Sequence, residues 1–186
     1  MLTKPHRVLG WIIFLLGAVG LAAALVLTVE YLHIAADEDY VASCDVNAVL
    51  SCGSVMRSNS SAVIGGIPNS LFGVAGFAAV TAIGAALAAG AVFAGWFWFL
   101  IQVGVTVALI FVHWMFYDSV FVFGLLCPYC MVVWAVTIPL FVLVTSETVR
   151  SYGGSTVLYR WRWLIILVWV AVIAAVVISR NYEYLF

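Results

Sequence analysis

Five long apolar stretches constrain the fold of this chain more than any other feature. Each has about the 17–25 residues with which an α-helix, rising about 1.5 Å per residue, crosses the hydrocarbon core of a bilayer. The sequence is 67% hydrophobic and 8% charged, whereas a soluble surface carries roughly 25–35% charged residues. We therefore predict an all-α integral membrane protein with one domain over residues 1–186. The predicted transmembrane helices span 8–29, 70–89, 93–117, 127–144 and 163–179.

Two of these stretches carry further signals. The first has about 22 apolar residues, which exceeds the roughly 7–15 of a cleavable signal, and no clear cleavage site follows it. We therefore expect it to remain as a membrane helix. The second is rich in Gly and Ala, and small residues let membrane helices approach one another closely.

The basic residues predict the side of the membrane that each segment faces. Cytoplasmic segments carry an excess of Lys and Arg. Five of the seven Lys and Arg residues lie in segments 1–7 and 145–162, whereas Arg57 and Arg180 lie on the other side. We therefore expect the N-terminus and the 145–162 loop to be cytoplasmic, and the long polar loop 35–69 to be extracytoplasmic. The five residues are Lys4, Arg7, Arg150, Arg160 and Arg162.

The most informative motif is Cys127-Pro128-Tyr129-Cys130, at the start of the fourth apolar stretch. Residues three apart share a helix face, and proline is favoured just inside a helix start. Cys127 is therefore predicted at a helix N-terminus, where free N–H groups and the dipole favour a thiolate. Such a dithiol can close, open and attack another disulfide. The motif falls on the same predicted face as the long polar loop, which is the oxidising side of the membrane.

The other two cysteines, Cys44 and Cys52, lie in the long polar loop with C-x7-C spacing. In one straight helix their Cα atoms would be about 12 Å apart, and a disulfide needs less than about 7 Å. Either the helix breaks, with Ser51 and Gly53 as candidate positions, or the two cysteines do not always pair. A pair that separates suits a shuttle of electrons, and a transient Cys52–Cys127 disulfide is then geometrically possible.

Two simpler interpretations of the cysteines remain. Buried cysteines often act only as small hydrophobic side chains. Four cysteines can also bind structural zinc, although zinc-binding pairs are usually separated by about two to four residues. The C-x7-C spacing is wide for that purpose.

Electrons that reach Cys130 need an acceptor. The sequence has no GxGxxG, no Cys-x-x-Cys-His and no cluster of His and carboxylates that predicts a metal. The simplest acceptor at membrane depth is a quinone (menaquinone, ubiquinone or vitamin K), which needs an apolar slot with a few polar contacts. Asn69 is a candidate hydrogen-bond donor to a quinone carbonyl. The candidate lining residues are Met56, Phe72 and Trp134.

These motifs, in this order, resemble those of the vitamin K epoxide reductase family. The resemblance covers roughly residues 10–145. It rests on the C-x7-C pair, on Ser58, on Pro68-Asn69-Ser70-Leu71-Phe72-Gly73 and on Cys127-Pro128-Tyr129-Cys130. It implies a four-helix bundle around a quinone and an extracytoplasmic cysteine loop. The fifth apolar stretch, which lies beyond the resemblance, adds a fifth transmembrane helix to this bundle.

The resemblance also implies residue roles. Cys127 and Cys130 would form the redox centre, with Cys130 nearest the quinone. Cys44 and Cys52 would be the shuttle pair, Ser58 would support the site, and Asn69 would donate a hydrogen bond to the quinone. Bacterial members are similar in reoxidising a thioredoxin-like disulfide donor. We therefore expect a thiol–quinone oxidoreductase of the bacterial cytoplasmic membrane that supports disulfide formation.

The sequence departs from the family pattern in two ways. Vertebrate members carry a Tyr four residues after the second cysteine of the motif, and Trp134 stands there in this chain. Either the indole N–H of Trp134 replaces the tyrosine hydroxyl as a contact to the quinone, or this contact is lost. Many bacterial relatives carry a fused thioredoxin-like domain after the fifth helix, and this sequence ends at Phe186. We therefore expect the partner to be a separate thioredoxin-like (DsbA-like) protein.

Other functions and roles remain open at this stage. One alternative is a vitamin K epoxide or quinone reductase proper, and another is a small transporter or assembly subunit. Transport pathways usually need charged residues at membrane depth, and none lies in the third, fourth or fifth stretch. A net charge of −1 does not suggest nucleic-acid binding. Ser58 could cap a turn, Asn69 could cap the second helix, and His113 could be a hydrogen-bonded structural residue.

Overall fold

The computed structural model describes residues 7–46, 50–63, 65–154 and 157–185. Within these ranges the chain is mainly helical, and six α-helices follow one another. They are α1 (Arg7–Ala36), α2 (Cys52–Met56), α3 (Asn69–Ala89), α4 (Gly95–Tyr117), α5 (Pro128–Ser151) and α6 (Val157–Leu185).

Five of these helices are long and apolar enough to cross a membrane, namely α1, α3, α4 with a π-helical extension over Asp118–Phe123, α5 and α6. The α5 helix is central because it packs against α1, α4 and α6, while α3 packs against α1. In the most apolar 18-residue segment of α5, half of the residues are buried, whereas in the corresponding segment of α6 only 6% are buried. The structure therefore confirms an all-α membrane fold, with four bundled helices and a fifth on the outside.

The segment 145–162, predicted as a loop, is mostly helical, because α5 and α6 extend into it from either side. Glu147 is buried within α5 and pairs with Arg150 at 2.9 Å and with Arg162 at 3.8 Å. A buried carboxylate is tolerated when it is paired in this way. The fourth membrane helix thus contains charged residues, contrary to the prediction that it has none.

Other helix ends also differ from their predicted positions. The α1 helix continues to Ala36 instead of ending at 29, and α4 begins at Gly95 instead of 93. The predicted outer connection 118–126 is largely π-helical. Hydropathy identifies only the part of a helix that lies in the hydrocarbon core of the bilayer. The end of a helix is decided by backbone hydrogen bonding, which can continue into the headgroup region.

The α1 and α3 helices approach closely through glycines, as the composition of the second stretch predicts. A Cβ atom added to Gly84 would lie 2.4 Å from the backbone nitrogen of Phe14. One added to Gly10 would lie 2.3 Å from the backbone nitrogen of Ala88. Small residues at such a contact let the two backbones pack directly against each other.

We expect Gly84→Ala to lower the thermal unfolding midpoint of the purified protein, because the methyl group forces the two backbones apart. Overpacking of this kind costs about 1–3 kcal/mol. Gly76→Ala is the matched control, since a Cβ atom there meets nothing within 4 Å. Equal midpoints for the two variants would contradict the direct contact between α1 and α3.

His113 joins α4 to α6. Its Nε2 atom accepts a hydrogen bond from the indole N–H of Trp169 at 3.1 Å. An indole N–H can only donate, so Nδ1 carries the proton and donates to the Leu109 carbonyl at 2.9 Å. Both ring nitrogens are satisfied, which assigns His113 a structural role.

Candidate redox site

A short backbone contact brings the cysteine loop to the start of α5. Leu50 and Leu126 form an isolated parallel β-bridge, and the Ser51 N–H donates to the Leu126 carbonyl at 3.0 Å. The next residues along the two segments are Cys52 and Cys127. The bridge therefore places one cysteine of each pair side by side.

Cys44 and Cys52 form a disulfide, with their Cα atoms 5.7 Å apart. The chain does not run as one helix from 44 to 52, because α2 begins only at Cys52. Ser51 caps this helix by accepting a hydrogen bond from the Ser54 N–H at 3.1 Å. Ser51 was one of the two candidate break positions.

The two cysteine pairs are in contact. The Sγ atom of Cys127 lies 3.0 Å from the Sγ atom of Cys52, across 75 residues of sequence. Cys127 and Cys130 are free thiols. Thiol–disulfide exchange requires one sulfur to reach another that is already bonded, and this contact satisfies that requirement.

The position of Cys127 favours its thiolate. Hydrogen bonding from the Cys130 side chain lowers the pKa of Cys127, and the backbone N–H groups of Tyr129 and Cys130 lower it further. Burial and the Asp45 carboxylate oppose this shift. The N–H groups belong to the first turn of α5, where Pro128 stands just inside the helix start, as the motif predicts.

Glu30 anchors the loop on the side of Cys44. This carboxylate is buried in α1, where it accepts hydrogen bonds from the Ser43 hydroxyl and from the Ser43 N–H, the latter at 3.3 Å. Partial burial and a hydrogen bond with Glu30 also raise the pKa of Tyr40. Because Ser43 immediately precedes Cys44, these bonds hold the disulfide over the end of α1.

Asp45 and Arg57 hold the same loop from its other side. The Asp45 carboxylate accepts a hydrogen bond at 2.9 Å from the N–H of Gly53, the residue after Cys52. Arg57 donates to the carbonyls of Glu38 and Tyr40, each at 2.9 Å. The loop is thus held before and after each of its cysteines.

These anchors were not predicted from the sequence. Glu30 was used only to mark the end of the first apolar stretch. The available signal was that Glu30 is the single carboxylate within the 30 residues that form α1. Ionisable residues in membrane helices usually have a partner and a function.

We expect Glu30→Ala to make the loop disulfide more open to small reductants. Hydrogen bonds to a charged group are worth about 1.5–3 kcal/mol each, so dithiothreitol should reduce the Cys44–Cys52 bond roughly tenfold faster. The rate is measured by alkylation and mass spectrometry. Glu38→Ala is the control, because that side chain is exposed. Equal rates for the two variants would contradict the anchoring role of Glu30.

Two of the predicted quinone-lining residues lie near the cysteines. Met56 is buried in one apolar cluster with Cys52 and Cys127. Trp134 is buried in a second cluster, where it packs edge-on against Phe116 with the ring centroids 5.0 Å apart. Cys130 packs against both clusters. Met56 and Trp134 therefore belong to the two apolar clusters against which the predicted electron-donating thiol packs.

Phe72 is placed differently. It is 42% exposed on α3 and belongs to neither of the two apolar clusters that surround the cysteines. An exposed aromatic residue on a spanning helix faces lipid unless another molecule covers it. Much of the Phe72 ring is thus left uncovered by the described part of the chain.

Asn69 binds the loop. It is the first residue of α3 and does not cap it, because Pro68 occupies the N-cap position. Its side-chain amide donates to the Ser60 carbonyl at 2.6 Å and accepts from the Val63 N–H at 3.3 Å. Among the described residues, the only further acceptor of this amide group is the Met115 sulfur, at 3.8 Å. Sulfur is a weak acceptor, so the second amide hydrogen remains available to a stronger one.

Ser58 supports the loop locally. Its hydroxyl donates to the Val55 carbonyl at 2.6 Å, just after α2. It precedes the 3-10 turn Asn59–Ser61 without capping it through the side chain. In the same turn, Ser60 donates to the Asp118 carboxylate at 2.9 Å, which ties the loop to the end of α4.

The zinc interpretation does not fit this arrangement. Two of the four sulfur atoms are bonded to each other. Among the residues that the structure describes, no group of three His, Cys, Asp or Glu side chains is placed to hold a metal ion.

Five spanning helices and two cysteine pairs in contact define a class of protein, a multi-pass membrane thiol oxidoreductase. Residues 11–145 match the sequence profile of the vitamin K epoxide reductase family. The match covers well over half of the chain, and the chain belongs to this family. No curated protein matches it at a significant level.

Proposed function

We propose that the protein moves two electrons from a separate, reduced thioredoxin-like protein to a membrane quinone. The observation that carries this proposal is the 3.0 Å contact between the sulfur atoms of Cys52 and Cys127. This contact joins a disulfide near the surface to a dithiol at the start of a membrane helix, and thiol–disulfide exchange can pass between them.

The exchange begins at Cys44. Cys52 is fully buried against Cys127, whereas Cys44 retains 6% of its surface and lies between the exposed Ser43 and the partly exposed Asp45. A thiolate of the partner attacks the Cys44 sulfur, which breaks the loop disulfide and releases Cys52 as a thiolate. The partner's second thiol then attacks the sulfur of its own bond to Cys44, which forms the partner's disulfide and frees Cys44.

The electrons then pass to the membrane pair. The Cys52 thiolate attacks Cys127 of a Cys127–Cys130 disulfide and releases Cys130. Cys44 attacks Cys52, which restores the loop disulfide and leaves Cys127 and Cys130 reduced. The described structure has this distribution, with a closed loop pair and an open membrane pair.

The residues around Cys130 fit a quinone. Family members use quinones, and such a ring requires apolar walls and a few polar contacts. Met56 and Trp134 supply apolar surface in the two clusters that Cys130 packs against. Asn69, at the start of α3, would supply the amide hydrogen that in the described part of the chain meets only the weak sulfur acceptor of Met115. When bound, a quinone would supply an acceptor for two electrons and two protons. Cys127 and Cys130 would release these as the two thiols close into a disulfide.

The distribution of charge supports an extracytoplasmic cysteine site. The arginines at the N-terminus of α1, the C-terminus of α5 and the N-terminus of α6 gather at the end opposite the cysteines. By the positive-inside rule this end is cytoplasmic. The cysteines then face the oxidising side of a bacterial cytoplasmic membrane, where disulfides form and persist.

The test uses the purified protein in detergent with a short-chain quinone and a reduced thioredoxin-like protein, and it follows quinone absorbance. We expect turnover that depends on both added components. Cys44→Ala should lose turnover with the protein partner while a small thiol still reduces the membrane pair. The proposal fails if the parent protein reduces no quinone, or if Cys44→Ala accepts the protein partner at the parent rate.

A further inference from the structure

A cavity of about 550 Å³ lies at the end of the molecule opposite the cysteines. It is formed by the first two turns of α1 and the first two turns of α6. Arg7 and Arg162 supply guanidinium groups, and Tyr159 and Trp163 supply aromatic rings. None of these residues takes part in the electron path.

The cavity has a polar end and an apolar wall. The wall comes from α1, where Leu9 is buried, Ile12 is partly buried and Val8 is 75% exposed. Val8 lies on a spanning helix, so its exposed surface meets lipid. Trp163 is also half exposed, as is typical of Trp at a membrane interface. The cavity is therefore open toward the region where headgroups and acyl chains meet.

The guanidinium group of Arg162 has unused hydrogen-bonding capacity. Its Nη1 atom is buried and makes no hydrogen bond within the described part of the chain. Its ion pair with Glu147 has a separation of 3.8 Å, whereas Arg150 holds the other oxygen of that carboxylate at 2.9 Å. The carboxylate is thus shared, and the buried Nη1 atom is the one turned toward it. The 13% of the Arg162 side chain that stays exposed is left to meet an acceptor in the cavity.

Aromatic rings fix the position of this group. The Arg162 guanidinium lies 4.0 Å from the centre of the Tyr159 ring and 5.4 Å from that of Trp163. Stacking leaves the edge of the guanidinium plane, which carries its N–H donors, free to bind an anion. Arginine recognises phosphate through two such parallel donors.

We propose that this cavity binds the phosphate of an anionic phospholipid in the leaflet on that side, with the start of the acyl chains against α1. Two arginines provide the charge, the held guanidinium of Arg162 provides directed donors, and the apolar wall favours a lipid over a free phosphate ion. Basic pockets between membrane helices bind lipid headgroups in this way.

The test measures lipid-dependent stability of the full chain after lipid depletion in a neutral detergent. We expect phosphatidylglycerol to raise the thermal unfolding midpoint more than phosphatidylcholine does. The double variant Arg7→Gln/Arg162→Gln should bind phosphatidylglycerol about 25-fold more weakly, because each basic residue near a membrane surface raises the affinity by roughly fivefold. Arg160→Gln is the matched control, since Arg160 is exposed on the same helix and does not line the cavity.

Arg7→Gln alone is a second variant that leaves the Glu147 ion pairs intact, and it should lose part of the affinity even if the double variant does not fold. Equal stabilisation by both lipids would overturn the proposal, as would equal weakening in the Arg160→Gln control. Inorganic phosphate added without lipid should give no comparable shift. A shift as large as that with phosphatidylglycerol would overturn the lipid assignment in favour of free phosphate.

Discussion

The Cys130→Ala variant should reduce quinone no faster than the background rate. This is a loss of roughly a thousandfold or more, the size seen when one member of a set of catalytic groups that act together is removed. Cys127 alone cannot release two electrons and close a disulfide. The loop disulfide and its contact with Cys127 do not involve the Cys130 side chain, so the loop should remain intact. The measurement is quinone turnover with a small reducing thiol, which bypasses the partner.

Cys130→Ser separates redox chemistry from hydrogen bonding. A serine hydroxyl still donates to Cys127, whose pKa is lowered chiefly by the Cys130 side chain. This variant should therefore keep a Cys127 thiolate at lower pH than Cys130→Ala does, and yet reduce no quinone. Turnover by either variant would show that Cys130 is not the electron donor.

The double variant Cys44→Ala/Cys130→Ala should form a Cys52–Cys127 disulfide almost completely under mild oxidation. The two remaining sulfur atoms face each other at 3.0 Å, and the backbone bridge between Leu50 and Leu126 holds them there. Neither natural partner is present to compete. The product is identified by non-reducing proteolysis and mass spectrometry.

Cys52→Ala/Cys127→Ala is the matched control, because it also leaves one cysteine in the loop and one in α5. Cys44 and Cys130 are the outer members of the sulfur chain, since Cys52 and Cys127 make the contact between the two pairs. The control should cross-link much more slowly. Similar rates in the two double variants would remove the Cys52–Cys127 step from the electron path.

The membrane fold was predictable from the sequence, and so was the placement of the two cysteine pairs at the same end of the bundle. Long uncharged apolar runs have few stable arrangements, because backbone groups in lipid must be satisfied within a helix. Helix ends were less predictable. Hydropathy reads Glu147 and Arg150 as loop residues, whereas their ion pairs allow α5 to continue through them.

For the candidate quinone-lining residues, too, the sequence predicted part of the arrangement and the structure was needed for the rest. Residue type and position within the motif singled out Met56, Phe72, Asn69 and Trp134. Only the packing of helices shows that Met56 and Trp134 belong to the two clusters that Cys130 packs against, and that Phe72 is exposed. A sequence alone does not show which face of an evenly apolar helix is turned inward.

The sequence by itself determined a membrane protein with two cysteine pairs on one side and, through their spacing and order, its family. Only the tertiary structure decided that Cys44 and Cys52 pair, and that Cys127 touches Cys52. A membrane-spanning helix follows from the composition of its own stretch of sequence, so it can be predicted without knowing the rest of the fold. The sulfur contact joins residues 75 positions apart, and it exists because the backbone bridge and the buried Glu30 carboxylate fold the loop onto α5 and α1.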